Sequence, residues 1–94
     1  MKIFAMYDTK AAFYLTPFTE TSTIAALRGF EVAVNESKST FNRFPDDFCL
    51  HELASFDQQT GEITVHASPQ NLGSARTVLK QQPEQNTLPF PKAQ

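Results

Sequence analysis

Two segments dense in aromatic residues, Met1–Phe18 and Phe44–His66, most constrain how this chain of 94 residues can fold. Both favour short strands that meet at turns, because aromatic and β-branched residues prefer strands and polar clusters interrupt them. The first segment predicts a hairpin with strands at Ile3–Tyr7 and Ala12–Leu15. Pro17 has no N–H to donate to a neighbouring strand, so the second strand should end there or lie at a sheet edge.

The second aromatic segment predicts a longer hairpin that starts with the strand Phe48–Phe56. Alternate residues of a strand share one face. The inward face is therefore expected to carry Phe48, Leu50, Ala54 and Phe56. The loop Asp57–Gly61 ends in glycine, as do hairpin loops that close with a left-handed residue. Glu62–His66 completes the hairpin, and Ile63 and Val65 should face inward.

Glu52 is the charged residue that interrupts the apolar face of this strand. A carboxylate among apolar side chains needs a partner, since burying an unpaired charge is costly. We expect Glu52 to pair with Arg28 or Lys2, or else to mark an edge that is guarded against aggregation.

An apolar stripe with helical spacing lies between the two aromatic segments and predicts a helix over about Ser22–Glu36, with Thr21 as its N-cap. The stripe consists of Ile24, Ala26, Leu27, Phe30, Ala33 and Val34. Thr40–Asp47 is expected to be a connecting loop. After the second hairpin, Pro69–Gly73 predicts a turn. Ser74–Lys80 fits either a short helix or a last strand.

Together these elements predict a small α+β domain over residues 1–80, in the order ββαββ, with one helix packed across an antiparallel sheet of two hairpins. Gln81–Gln94 is rich in Gln and Pro, and we expect a flexible tail there. A chain this short buries only about 60–65% of its unfolded surface. We therefore expect a homodimer, formed through sheet edges or the helix face, that covers further apolar surface.

Charge and cysteine content narrow the function classes. The formal net charge of −2 makes tight, non-specific binding of duplex DNA a poor fit, because that binding depends on many basic contacts. Cys49 is the only cysteine, so an intramolecular disulfide is impossible, which suits a reducing cytoplasm. No secretory signal and no run of 18 apolar residues is evident, so we expect no membrane association.

Catalytic and metal-binding patterns are weak. Cys49, His51 and His66 fall on neighbouring predicted strands, but they lack the spacing of a zinc site. A nucleophile pair of Cys49 and His51 would need an orienting carboxylate, and Glu52 points to the opposite face. The three glycines are isolated, so no phosphate-binding loop is present. We expect no enzymatic activity, no metal and no cofactor.

Basic and aromatic residues are interleaved in the first half of the chain, while most acidic residues follow position 43. Exposed aromatic rings stack on nucleic-acid bases, and Lys or Arg contacts phosphates, so this pattern indicates a single-strand binding face. The candidate phosphate contacts are Lys2, Lys10, Arg28 and Arg43, and the candidate stacking residues are Tyr7, Tyr14, Phe41 and Phe44. The alternative is that such aromatic residues are core, which we expect for Phe4, Phe30, Phe48 and Phe56.

Several short motifs in order over Met1–Lys80 resemble the small nonstructural protein of gokushoviruses, tailless single-stranded DNA phages of the microvirus group. The motifs are Lys2-Ile3-Phe4, Tyr7-Asp8, Lys10-Ala11, Tyr14-Leu15, Pro17-Phe18, Pro45-Asp46-Asp47, Leu50, Glu52-Leu53, Phe56-Asp57 and Leu72-Gly73. The resemblance implies a nonstructural role in the host cytoplasm, with binding to the single-stranded viral genome. That binding would help the switch from genome replication to packaging.

Two functions are therefore expected from the sequence. The first is single-stranded DNA binding, with a viral or host replication or packaging protein as a further partner. The alternative is a protein-interaction module, in which the aromatic hairpins and the proline-rich segment Leu88–Pro91 dock a viral or host protein.

Overall fold

The computed structural model describes residues 1–80, which form an α+β domain with helices on one face of a five-stranded antiparallel sheet. The strands are β1 Lys2–Asp8, β2 Phe13–Tyr14, β3 Phe18–Glu20, β4 Phe48–Phe56 and β5 Ile63–Ser74. The helices are α1 Thr23–Asn35, α2 Thr40–Arg43 and α3 Ala75–Val78. The α+β class and the antiparallel sheet are confirmed, whereas the strict ββαββ order is not, because a third short strand precedes α1.

β1 lies inside the sheet, with β4 on one side and both β2 and β3 on the other. Tyr7 pairs with Tyr14 of β2, and Phe4 pairs with Phe18 of β3. The N–H of Leu15 still donates to the Met6 carbonyl at 2.9 Å, but Pro17 has no N–H to continue the ladder. β2 and β3 therefore lie along the same side of β1, at the edge of the sheet. The prediction that the second strand ends at Pro17 or lies at an edge is confirmed.

The long helix forms where its apolar periodicity predicts it, within one residue at each end. Its N-cap is Ser22, whose Oγ accepts a hydrogen bond from the Ala25 N–H at 3.1 Å, so the prediction of Thr21 is wrong by one residue. Buried side chains recur every four residues along α1, at Ala26, Phe30 and Val34. The first residue of the predicted stripe, Ile24, is instead exposed at the start of the helix.

The core lies between α1 and the two central strands. Phe4 and Met6 of β1 and Phe48 and Leu50 of β4 pack against Ala26, Phe30 and Val34, and Ala75 of α3 closes one side. The predicted loop Thr40–Asp47 contains the short helix α2, which places the ring of Phe41 edge-on to Phe48 with 5.0 Å between centroids. Of the four predicted core phenylalanines, only Phe56 is half-buried rather than buried.

The last part of the domain departs most from the sequence-based expectation. The predicted turn at Pro69–Gly73 is wrong, because β5 runs through it to Ser74. Glu52 pairs with Gln70 and Ala54 pairs with Val65. These two pairs are two residues apart along β4 but five residues apart along β5. Pro69 lies in this irregular stretch, where no N–H is needed for the ladder.

The inward orientation predicted for Ile63 and Val65 is also wrong, since their side chains are 54% and 73% exposed. The core is built from β1, β4 and the helices, and its buried residues include none from β5. Ser74–Lys80, which fitted either a helix or a strand, contains the short helix α3. The predicted tail Gln81–Gln94 lies outside the described residues.

Glu52 is buried, with 3% of its surface exposed, and it has three partners. The Thr23 hydroxyl donates to Oε1 at 2.8 Å, and His66 Nε2 lies 2.8 Å from Oε2. Lys2 Nζ lies 3.5 Å from Oε2 and also donates to the Thr23 hydroxyl at 3.2 Å. Of the two predicted partners, Lys2 is therefore the one that pairs. The network ties β1, α1, β4 and β5 together.

Burial raises the pKa of Glu52, but the hydrogen bonds from Thr23 and His66 and the charge of Lys2 outweigh it, so the net pKa is lowered. The ionised carboxylate is thus favoured in the folded state. A carboxyl whose pKa is lowered by folding stabilises the fold above its ordinary pKa near 4.5. That contribution is lost as the pH falls through the lowered value.

We expect Glu52→Gln to lower the free energy of unfolding by about 1–3 kcal/mol at pH 7, because Lys2 and His66 lose a buried, ionised partner. Chemical denaturation measures this loss. The matched control is Glu62→Gln, an exposed carboxyl on the same hairpin, which should change stability by less than about 0.5 kcal/mol. The difference between wild type and Glu52→Gln should shrink as the pH falls from 4.5 through the lowered pKa of the folded carboxyl, because the unfolded chain binds the proton more readily in that range. A difference that is independent of pH would contradict the ion-pair account.

Candidate nucleic-acid interface

The sheet has one face covered by helices and one face that no helix of residues 1–80 covers. Side chains of β1 and β4 alternate between these faces, so each core residue is followed by one on the open face. Tyr7 pairs with Cys49, and Ala5 pairs with His51, in the register that leaves Met6 and Leu50 in the core. The open face therefore carries Tyr7 and His51 side by side on the two central strands.

Three rings form a cluster on this face, here called the open-face cluster: Tyr7, Tyr14 and His51. The rings of Tyr7 and His51 are nearly parallel, with 5.3 Å between centroids and an angle of 11°. Tyr14, on the neighbouring strand β2, lies 4.7 Å from Tyr7 by ring centroids. Its hydroxyl is 2.8 Å from His51 Nδ1. The cluster is partly accessible, since 36% of Tyr14 is exposed while Tyr7 and His51 are half-buried.

Burial lowers the pKa of His51, so the imidazole is favoured in its neutral form. A neutral imidazole has one protonated ring nitrogen, and the tautomer decides whether Nδ1 accepts from the Tyr14 hydroxyl or donates to it. A neutral ring stacked on Tyr7 offers an aromatic face and the polar atom Nε2, which are groups that can contact a base.

The turn that carries Lys10 is shaped by local hydrogen bonds. The Asp8 carboxylate accepts from the N–H groups of Lys10 and Ala11, each at 3.0 Å. Ala12 closes the turn with a φ of 59°, in the left-handed region that few non-glycine residues adopt. The N–H of Thr9 donates to the Asp47 carbonyl at 2.8 Å, which fixes the turn against the segment before β4.

The same end of the sheet carries Arg43 and Phe44, since the Asp47 N–H donates to the Phe44 carbonyl at 3.1 Å. The Arg43 guanidinium lies 5.6 Å from the centroid of the Phe44 ring, and half of Phe44 is exposed. Lys10, Arg43 and Phe44 are here called the basic end.

Two acidic groups at this end, Asp46 and Asp8, are already engaged, whereas the Asp47 carboxylate takes part in no hydrogen bond or ion pair of residues 1–80, since Asp47 makes its contacts through its backbone. Arg76 binds the Asp46 carboxylate through two hydrogen bonds, of 3.0 and 2.9 Å. Hydrogen bonding from Arg76 holds the pKa of Asp46 below its usual range, so this carboxylate stays ionised and paired. Asp8 is occupied by backbone N–H groups. These contacts leave Lys10 and Arg43 as the basic groups at this end that no ion pair among residues 1–80 engages.

Of the eight residues predicted for DNA binding, the structure places two in the open-face cluster and three at the basic end, where the turn after β1 meets the segment before β4. They are Tyr7, Tyr14, Lys10, Arg43 and Phe44. The other three lie elsewhere. Phe41 packs against the core, Lys2 is bound to Glu52 and Thr23, and Arg28 is on the exposed outer side of α1 beside Glu31 and Lys80.

His51 belongs to the cluster, although sequence reasoning considered it only for metal binding and catalysis. His51 directly precedes the buried Glu52 in β4, so the alternation of side chains places His51 on the open face. Its contact with Tyr14, in contrast, depends on which strands pair. Within residues 1–80, no group of three or more His, Cys, Asp and Glu side chains could hold a metal ion. None of the helices described is long and apolar enough to cross a membrane.

The fold and the site define a two-layer α+β domain with one uncovered, aromatic sheet face. The chain belongs to the Phage ORF5 protein family, whose model matches residues 1–78. It is therefore a phage protein, and the match spans almost all of the domain. Comparison with curated proteins and with solved structures found no match.

We expect an NMR titration to give His51 a pKa below 6.5, its ordinary value, because burial disfavours the imidazolium. Neutral His51 therefore stabilises the fold above pH 6.5, and this contribution is lost as the pH falls through the lowered pKa.

Tyr14→Phe removes only the hydroxyl and should lower the free energy of unfolding by about 0.5–1 kcal/mol at pH 7. A pKa of His51 above 6.5 would contradict the neutral cluster.

Proposed function

We propose that this phage protein is a non-enzymatic binder of single-stranded DNA that acts in the host cytoplasm. The observation that carries the proposal is the open-face cluster, which lies near the end of β1 that leads into the Lys10 turn. Antiparallel sheets with aromatic residues on their open faces bind single strands by stacking bases on the rings. Each such stack contributes about 1–3 kcal/mol.

The charges of the chain suit a single strand better than a duplex. With a net charge of −2, long-range attraction to a polyanion is weak, so binding would depend on short-range contacts. Tyr7, Tyr14 and Phe44 would supply stacking, while Lys10 and Arg43 would each contact one phosphate. Two phosphate contacts correspond to a slope of about −1.4 in a plot of log affinity against log salt concentration.

The biological role follows from the resemblance of the motifs to the small nonstructural protein of gokushoviruses. In this proposal the protein binds newly made viral genomes and helps commit them to packaging rather than further replication. Membership in the Phage ORF5 protein family is consistent with that role, because it makes the chain a phage protein.

The test is fluorescence anisotropy of a labelled single-stranded oligonucleotide, titrated with the full chain at several salt concentrations. We expect saturable binding that weakens with salt. Lys10→Glu combined with Arg43→Glu should abolish the binding without unfolding the domain, because both side chains are exposed. Phe44→Ala should weaken it about 5- to 150-fold, as expected for one lost base stack.

The matched control is Arg28→Glu combined with Lys80→Glu, which makes the same change in net charge on the far side of α1. It should retain most of the affinity. Equal losses in the two double variants would mean that only total charge matters, and no binding even at low salt would overturn the proposal.

A protein-interaction module is the second candidate, and the exposed apolar side chains of Ile63 and Val65 favour it. They lie on β5, whose outer edge pairs with no strand of residues 1–80. If DNA does not bind, a pull-down from infected cells should recover a polypeptide instead of nucleic acid. The proline-rich segment Leu88–Pro91 would be a further contact in that case.

The same two residues are the proposed interface of a homodimer. We expect sedimentation velocity to show a dimer, since covering Ile63 and Val65 removes apolar surface from water. Val65→Lys should give a monomer, whereas Thr64→Lys, its neighbour on the opposite face of the strand, should leave the dimer intact. A monomer in the wild type at concentrations near 100 times those of the DNA assay would exclude this interface.

A further inference from the structure

An apolar groove runs between α1 and the edge strands β2 and β3, on the helical side of the sheet. It has a volume of about 400 Å³. Its lining is Met6, Leu15, Thr16, Phe18, Gly29, Phe30, Ala33 and Phe41. Gly29 leaves the wall open, because a Cβ at that position would meet no atom within 4 Å. Phe18 at the rim is 36% exposed.

The lining indicates what kind of ligand fits. It contains three phenylalanine rings and no charged side chain, so a nucleic-acid strand would gain no phosphate contact there. Proline-rich segments dock in aromatic-lined grooves, because their extended backbone is already ordered and little entropy is lost on binding. A short segment with prolines and one or two large apolar residues would suit this groove.

This chain carries such a segment. Leu88-Pro89-Phe90-Pro91 follows seven mostly polar residues, 81–87, beyond the last described residue. The starting point of those residues is known, since the Lys80 N–H donates to Asn35 Oδ1 at 2.8 Å and Lys80 Nζ lies 3.6 Å from Glu31. Both partners are on α1, the helix that also forms a wall of the groove.

The distance can be spanned. A helix with its side chains is about 10–12 Å wide. Seven extended residues reach about 23–25 Å. The segment can therefore pass from the Lys80 side of α1 to the side of Gly29 and Ala33. A tether of this length gives an effective concentration on the order of millimolar, so even weak docking would be populated.

We propose that Leu88–Pro91 docks in this groove of its own chain, with Leu88 and Phe90 as the apolar contacts. The groove lies on the helical side of the sheet, away from the open-face cluster, so the proposal is independent of DNA binding. Docking would cover Phe18, which is the exposed ring at the rim. A partner protein with a similar proline-flanked aromatic residue would have to displace the segment.

The test is NMR of the full chain, with nuclear Overhauser contacts measured between the Phe90 ring and the methyl groups of Met6 and Leu15. We expect these contacts in the wild type and their marked weakening in Leu88→Ser, which keeps the Phe90 ring but removes the other proposed apolar contact. The control is Gln82→Ser combined with Gln85→Ser, in the stretch 81–87 that precedes the segment, and it should retain the Phe90 contacts.

A second variant pair tests the groove itself. Gly29→Leu fills the groove while raising helix propensity, so it should abolish the Phe90 contacts without unfolding α1. Gly29→Ala also raises helix propensity but leaves the groove open, so it should retain the contacts. No Phe90 contacts in the wild type would overturn the proposal. Contacts that vanish on dilution, as a dimer dissociates, would assign the segment to a second copy and overturn docking within one chain.

Discussion

The pairing of β1 with β4 is the constraint on which the rest of the structure depends. Because side chains alternate across a strand, one register decides both faces of the sheet. It places Met6 and Leu50 under α1 and, in the same step, Tyr7 and His51 on the open face. A slip of one residue would exchange the two sets. The hydrophobic core therefore also sets the geometry of the aromatic surface.

Polar contacts at the two ends of β1 reinforce that register. At its start, the buried carboxylate of Glu52 draws together Lys2, Thr23 and His66 from three other elements. At its end, the Thr9 N–H and hydroxyl both bind the Asp47 carbonyl. The first contact is buried and depends on charge, whereas the second holds the Lys10 turn near Phe44. The basic end is thus positioned by the hydrogen bonds of Asp8, Thr9 and Asp47, and not by the side chains of Lys10, Arg43 and Phe44.

The accuracy of prediction varied with the range of the interactions involved. α1 was predicted within a residue at each end because its stripe is local, but its N-cap was missed since Thr21, Ser22 and Thr23 are all good caps. The loop before Gly61 was predicted, and Gly61 has the expected left-handed φ of 79°.

The prediction for β5 was too short because Pro69 usually ends a strand, and here a register shift accommodates it. For the candidate site, the sequence named both Arg28 and Lys2 as possible partners of Glu52, but only the structure shows that Lys2 is the one that Glu52 occupies.

The sequence by itself determined the α+β class, the helix, the two aromatic segments and the alternation that makes one sheet face apolar. These depend on periodicity and turn chemistry, which are properties of neighbouring residues. Only the tertiary structure decided which aromatic residues are accessible. Phe41 and Phe44 lie only three positions apart in the chain, yet Phe41 packs against Phe48 and Phe44 is half exposed. Their difference, like the contact of Tyr14 with His51, arises from strands and helices that are distant in sequence, and no local pattern records which of them meet.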